Sequence, residues 1–423
     1  MAWVSRPSHG FFNPSGWDMS SKLLLGLDIG TAHCKAVVVE CRSGRPKVLA
    51  VFKEPSGGVR KGAIIDLAEA SSAVNRLLSE VRRVSKRALK TVYVNIGTAQ
   101  VKTQGSRGIV AVSRADSEIY QDDIDRAVKA SSAVNVAPNR MIVHNVMREY
   151  IVDGVGDIMD PLGLSGNRLE VNGLIVDVFA PHVKSAIRVV ELAGGRVAGP
   201  VLTPFAVARA TLSKNQKDLG VVVVDIGAGT TGISIYEENK LVNIGVLPVG
   251  AGNVTNDVAI GLKIPVQAAE AVKLNYGHAL AREVGLKETI ELKKFVPESR
   301  SLVSRRLVAE IIEARLAEIF ELVNNELKLA GRAGQLAGGA VIVGGGAKLP
   351  GMTELAREEL KLSSQIGVAV SDEWQRDDQY AEVFEDPEYV AALGLALSGA
   401  EQEGWLASSQ SPWWKSFMYY FRT

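Results

Sequence analysis

Two short stretches place an acid, glycines and hydroxyls at the end of an apolar run. They are DIGTAHCK at residues 28–35, after LLLGL, and DIGAGTTG at 225–232, after GVVVV. A glycine-rich turn at a strand end exposes backbone N–H groups that can cradle phosphate, because no Cβ blocks the approach. An aspartate there is poorly suited to face phosphate itself but can hold Mg²⁺, directly or through water. Asp28 and Asp225 therefore read as metal-side residues facing one nucleotide from two sides. Gly30, Thr31 and Lys35 would hold its phosphates from one side, with Lys35 as a point charge, and Gly227, Ala228, Gly229, Thr230 and Thr231 from the other.

Either turn alone reads as an ordinary hairpin corner. A third element makes the set specific: VIVGGGAKLPGM (341–352) runs a buried strand into Gly344, Gly345 and Gly346, then past Lys348 and Pro350 into a helix. That geometry suits a flat base or ribose pressed against backbone.

The elements that must position these turns follow from periodicity. Strands are expected at 23–28, 35–41 and 47–52, a helix across 66–88, and a strand at TVYVNIG (91–97). Ser117 is a candidate N-cap for the helix in SEIYQDDIDRAVKASSAV. The second half restarts with a strand, and a hairpin is expected through Glu238, Asn239 and Lys240. Asp28 and Asp225 are separated by far more than any solenoid period, so a duplicated domain explains the recurrence better than a repeat array.

Composition bounds the reading. A chain of 423 residues and 45.2 kDa exceeds one core, so two or more domains are expected. A net charge of +1 gives no electrostatic reason to invoke nucleic acid. Cys34 and Cys41 lie an odd number of residues apart in a strand, hence on opposite faces, and no disulfide is expected. The histidines show no ligand spacing and no structural metal is expected. No apolar run reaches the roughly 18–20 residues of a membrane-spanning helix. Residues 1–21 lack the apolar core of a signal peptide and read as a flexible extension.

The three turns resemble the two phosphate motifs and the adenosine motif of the actin-like ATPases, the superfamily of actin, Hsp70 and sugar kinases. Within it the chain is similar to the FtsA family of bacterial cell-division proteins from about Lys22 onward. Further matching stretches are PLGLSGNRLEV (161–171), PVGAGNVTNDVAIGL (248–262), AEAVKLNYGHAL (269–280) and AEIIEARLAEI (309–319). The resemblance implies an α/β, actin-like (ribonuclease H-like) fold of two duplicated domains around a nucleotide cleft, each with an inserted small subdomain. It divides the chain into a first large subdomain (22–90, 178–215 and 389–400) and an insert of FtsA type (91–177). A second large subdomain (216–245 and 325–388) and a second small subdomain (246–324) follow. It implies ATP and Mg²⁺ as ligands, with Glu270 and Lys273 near the ribose and adenine; the alternative for that pair is a surface i,i+3 salt bridge. It also implies filament formation, later division proteins on the insert, and the C-terminal peptide of FtsZ on the second small subdomain, where Arg300 and Arg315 match basic positions. Actin-like hydrolases usually carry a Glu or Gln near Thr203, and many relatives an acid at Gly232. Neither is present, so ATP binding with at most slow hydrolysis is expected.

The chain ends in SPWWKSFMYYFRT. On a helix from 412 to 423, Trp413, Trp414, Phe417, Met418, Tyr420 and Phe421 fall on one face and Lys415 and Arg422 on the other. This is the pattern of a helix lying in a membrane interface, preceded by a linker at 401–411. The expectation is thus a tether of FtsZ at the cytoplasmic face of the membrane, at the division site. The alternative is an ATP-binding adaptor of type IV pilus assembly like PilM, which would not need its own membrane helix.

Overall fold

A computed structural model describes residues 22–42, 45–299, 301–370, 373–375 and 377–406. The extension at 1–21, Arg300, and the aromatic segment with Trp413, Trp414, Phe417, Met418, Tyr420 and Phe421 lie outside the described residues.

The chain opens with three antiparallel strands, β1 (Lys22–Ile29), β2 (His33–Arg42) and β3 (Arg45–Pro55). A short hairpin, β4 (Val59–Arg60) and β5 (Ala63–Ile64), leads into helix α1 (Leu67–Val84), capped by the Asp66 side chain. Then β6 (Val92–Ile96) returns beside β1 in parallel, Leu25 opposite Val92. Sequence reading assigns this segment to the insert. Parallel pairing puts it in the first sheet instead, because its residues are buried on both faces.

The insert follows as β7 (Val101–Ala111), α2 (Gln121–Ser131), β8 (Arg140–Val152), β9 (Val155–Ile158) and β10 (Arg168–Phe179), a four-stranded sheet with one helix against it. Ser117 does not cap α2. It sits at φ 52°, and the helix starts after Tyr120, whose N–H donates to Asp123 at 3.0 Å. Helix α3 (Ala180–Leu192) and strand β11 (Val197–Leu202) complete the first sheet in the order β3-β2-β1-β6-β11.

After α4 (Thr203–Thr211) and α5 (Lys214–Leu219) the pattern repeats. Strands β12 (Val221–Ile226), β13 (Thr231–Glu237) and β14 (Lys240–Leu247) are antiparallel. Glu238 and Asn239 both adopt positive φ, the requirement of a type I′ hairpin turn. Helices α6 (Ala251–Leu262), α7 (Val266–Tyr276) and α8 (Arg305–Leu329) pack with a small hairpin, β15 (Thr289–Glu291) and β16 (Leu302–Ser304). Along α8, Val308, Ile312, Leu316, Ile319, Val323 and Leu327 recur at helical spacing and are buried. Then β17 (Ala340–Val343) and, beyond α9 (Met352–Leu360), β18 (Ser364–Ile366) run parallel to β12. The second sheet, β14-β13-β12-β17-β18, thus repeats the order and strand directions of the first.

The short helix α10 (Ala381–Glu385) leads toward α11 (Val390–Gln402), in which every residue from Val390 to Ala400 is buried. It lies on β1 and α4 so closely that a Cβ on Gly394 would fall 1.8 Å from the Ala206 carbonyl. Cys34 and Cys41 are both free and buried, in different core clusters on opposite faces of β2. No helix among the described residues is long and apolar enough to cross a membrane.

Candidate nucleotide cleft

Because the two sheets share one topology, the C-terminal ends of β1 and β12 occupy equivalent places, and both face one cavity. That cavity, about 540 Å³ including its open mouth, is lined by Asp28, Thr31 and Lys35 from the first turn. Asp225, Gly227, Ala228, Gly229 and Thr230 line it from the second, and Gly344 and Gly345 from the third. The jaws touch: a Cβ on Gly229 would lie 2.5 Å from the Thr31 hydroxyl. The first residues of α6 brace the second turn, Ala251 N–H donating to the Gly227 carbonyl at 2.8 Å and Gly252 N–H to that of Ala228 at 2.7 Å. Gly344 is left-handed at φ 84°, with Asp225 Oδ1 2.4 Å from where a Cβ would stand.

The other candidate residues are not in the lining. Gly30 shapes its turn, its N–H donating to the His33 carbonyl at 3.1 Å. Thr231 is fully buried and donates to the Val249 carbonyl at 2.9 Å, since strand alternation turns it away from the cleft. Gly346 is buried against Ile226, and Lys348 stands 2.7 Å from Asp386. Glu270 and Lys273 pair at 2.7 Å, but Lys273 is buried and donates to Thr255 at 2.8 Å. The pair is thus the i,i+3 salt bridge of the alternative reading, with its lysine end buried and both residues tied to Thr255 of α6.

Arg315 is bound to Asp257 of α6 through two nitrogens and to Glu318. It is a committed cation.

Two lining residues with polar side chains escape sequence reading. Asn95, at the end of β6, donates to Asp28 Oδ1 at 2.8 Å and accepts from Ile29 N–H at 2.7 Å. A lone polar residue interrupting TVYVNIG is its only sequence signal. Glu388, just before α11, accepts from Lys53 at 2.7 Å and lies 3.5 Å from Lys348. Nothing in its neighbourhood marks it. Although burial works against its charge, Lys53 and Lys35 hold its carboxyl below the usual range.

The two aspartates differ in environment. Asp28 accepts from Lys35 on one oxygen at 2.8 Å and from Asn95 on the other. Among the described residues, no side chain or backbone N–H forms a hydrogen bond to the Asp225 carboxylate. Burial first, and then the charge of Asp28, push it up to about 6. A carboxylate so poor in donors suits a bound cation, so Asp225, with Asp28 beside it, would suit Mg²⁺, directly or through water.

Comparison with known proteins agrees with this architecture. The family described as cell division protein FtsA matches residues 222–394, and the SHS2 domain inserted in FtsA matches 98–177. The chain is 32% identical over 385 residues to cell division protein FtsA of Pseudomonas aeruginosa, covering 91% of each chain. The chain belongs to the FtsA family. FtsA of Bacillus subtilis is 33% identical over 89% of this chain and 83% of its own. Among solved structures, the PilM-PilN type IV pilus biogenesis complex aligns with a TM-score of 0.60 at 21% identity, over 89% of this chain and 98% of that one. MreB5 of Spiroplasma citri bound to AMPPNP aligns with a TM-score of 0.54 at 13% identity, over 90% and 97%. These likenesses establish that this FtsA-family chain has the actin-like fold.

Proposed function

We propose that this cell-division protein binds ATP with Mg²⁺ between its halves, assembles with copies of itself, and ties the C-terminal peptide of FtsZ to the cytoplasmic membrane surface through residues 412–423. The observation that carries the nucleotide reading is the convergence of three separate glycine turns on one cavity with two carboxylates of unlike environment. The turns bind phosphate through backbone N–H groups, Lys35 adds positive charge, and Asp225 holds the cation. When bound, Mg²⁺ neutralises phosphate charge and fixes its orientation.

The cleft supports binding better than turnover. An attacking water needs a free carboxylate or amide to orient it. Asn95 has both ends of its amide engaged, the Thr203 hydroxyl donates to the Ile96 carbonyl at 3.2 Å, and Gly232 has no side chain. Turnover of several ATP per second would overturn this part of the reading.

The aromatic face of 412–423 supports the membrane role, since about 20 Å of helix suits an interface and not a span. Liposome co-sedimentation of the full chain and of a chain ending at Ser411, with and without ATP-Mg²⁺, tests it. Binding lost on truncation and strengthened by ATP is expected. No binding by either form would favour a soluble adaptor and make the aromatic segment a protein-docking element.

A further inference from the structure

The end of the first half opposite the cleft is basic. β1 runs from exposed Lys22 to Asp28 in the cavity, about 20 Å of strand. Strands β6 and β11 run parallel to it, so the turns preceding them gather at the Lys22 end. Backbone bonds knit these turns together: Leu25 N–H to the Thr91 carbonyl, Val92 N–H to that of Arg196, and Arg196 N–H to that of Leu89. The last turn of α1 and the turn after it read RRVSKRALK (82–90), five basic residues and no acid. Lys86, Arg87, Lys90 and Arg196 are exposed. Among the described residues, the acids nearby are engaged: Glu80 with Arg83, Glu191 with Arg188, and Glu403 with the Tyr93 hydroxyl.

The chain also leaves the body here. Helix α11 descends to the same end, where a Cβ on Gly199 would stand 3.0 Å from the Gln402 side chain, and the Trp405 ring lies 5.8 Å from Lys22 Nζ. Only residues 407–411 separate Leu406 from the aromatic segment. Five residues reach at most about 17 Å.

We propose that this basic end is a second membrane contact, an anionic lipid surface lying against Lys22, Lys86, Arg87, Lys90 and Arg196. The proposal rests on the reading of 412–423 as the membrane segment. With that segment in the interface, so short a tether lets the basic end approach to within one Debye length, about 8 Å, of the headgroups, where each basic residue attracts anionic lipid. Two weak signals on one chain then hold far more firmly than either alone. A nucleic acid or an acidic protein would feel the same charge, but the tether length selects lipid. The cleft, at the other end of β1, faces away from the membrane.

Partition onto phosphatidylcholine vesicles and onto vesicles containing phosphatidylglycerol tests the proposal. It is measured for the full chain and for a Lys86→Gln/Arg87→Gln/Lys90→Gln variant, with melting temperature and ATP affinity confirming that the variant is intact. The variant is expected to lose between about tenfold and a hundredfold of its partition onto anionic vesicles and to keep that onto neutral ones. Wild-type partition of the variant onto both vesicles would overturn the proposal and leave the tail reading standing. A full chain that binds neither vesicle would overturn both. Loss confined to duplex DNA binding, with lipid partition unchanged, would also overturn it.

Discussion

Lys35 stands directly across the antiparallel ladder from Asp28, and its ammonium lies 2.8 Å from Asp28 Oδ2 with both residues buried. Burial opposes the charge on Lys35, but Asp28 holds its pKa above the usual lysine value. The cleft therefore carries its own counter-cation beneath the proposed phosphate site. Lys35→Met leaves Asp28 buried and uncompensated, and should cost about 3–5 kcal/mol in urea unfolding. A second change, Asp28→Leu, should restore much of that stability while abolishing ATP binding. Equal stability of wild type and Lys35→Met would contradict the pairing.

Asn95 aims Asp28 from the other side. Asn95→Ala strands the Ile29 N–H and frees one Asp28 oxygen, at a cost of about 1–3 kcal/mol. Calorimetric titration should show ATP-Mg²⁺ affinity falling about tenfold, the equivalent of about 1.4 kcal/mol. Asn95→Asp, which adds a like charge beside Asp28, should weaken it further.

Asp225 predicts a pH dependence of the nucleotide-free protein. Its folded pKa of about 6 lies above the ordinary aspartate value of 3.8, so between these the folded state binds more protons than the unfolded one. Stability is then lost as pH rises from about 4 to about 6 and is level above that. Asp225→Asn should remove this slope and be more stable than wild type by roughly 1–3 kcal/mol at neutral pH. Thermal melts across that range check it; parallel curves for the two proteins would refute it.

Arg315 is bound to Asp257, so an acidic peptide must compete for it. If Arg315 meets the FtsZ tail, Asp257→Ala should tighten peptide binding severalfold and Arg315→Glu should weaken it. Fluorescence anisotropy with a labelled tail peptide decides this, and two unchanged affinities would remove Arg315 from the site.

Gly394 has the tightest contact of any glycine at the α11–α4 crossing. A Cβ 1.8 Å from a carbonyl oxygen cannot be accommodated by a side-chain shift, so Gly394→Ala should lower stability by about 1–3 kcal/mol despite the better helix propensity of alanine. The midpoint of denaturant unfolding reads the change directly.

What the sequence determined by itself is local. Apolar runs ending in DIG, the positive-φ pair Glu238 and Asn239, the periodic face of α8 and the doubling of the strand-and-turn pattern all lie within single stretches of chain. Periodicity and turn chemistry act over a few residues, so they can be read from a few residues. What only tertiary structure decided is which side chains meet across long separations. Asn95 reaches Asp28 because β6 pairs in parallel with β1, and the same pairing takes this strand out of the insert. Glu388 reaches Lys53, and Asp257 takes Arg315, because helices and sheets bring distant stretches together. Thr231 and Lys273 carry the right chemistry for the cleft, yet strand alternation and the α6–α7 contact turn them to other partners. Such pairings depend on register and packing angle, which leave no periodic trace along the chain.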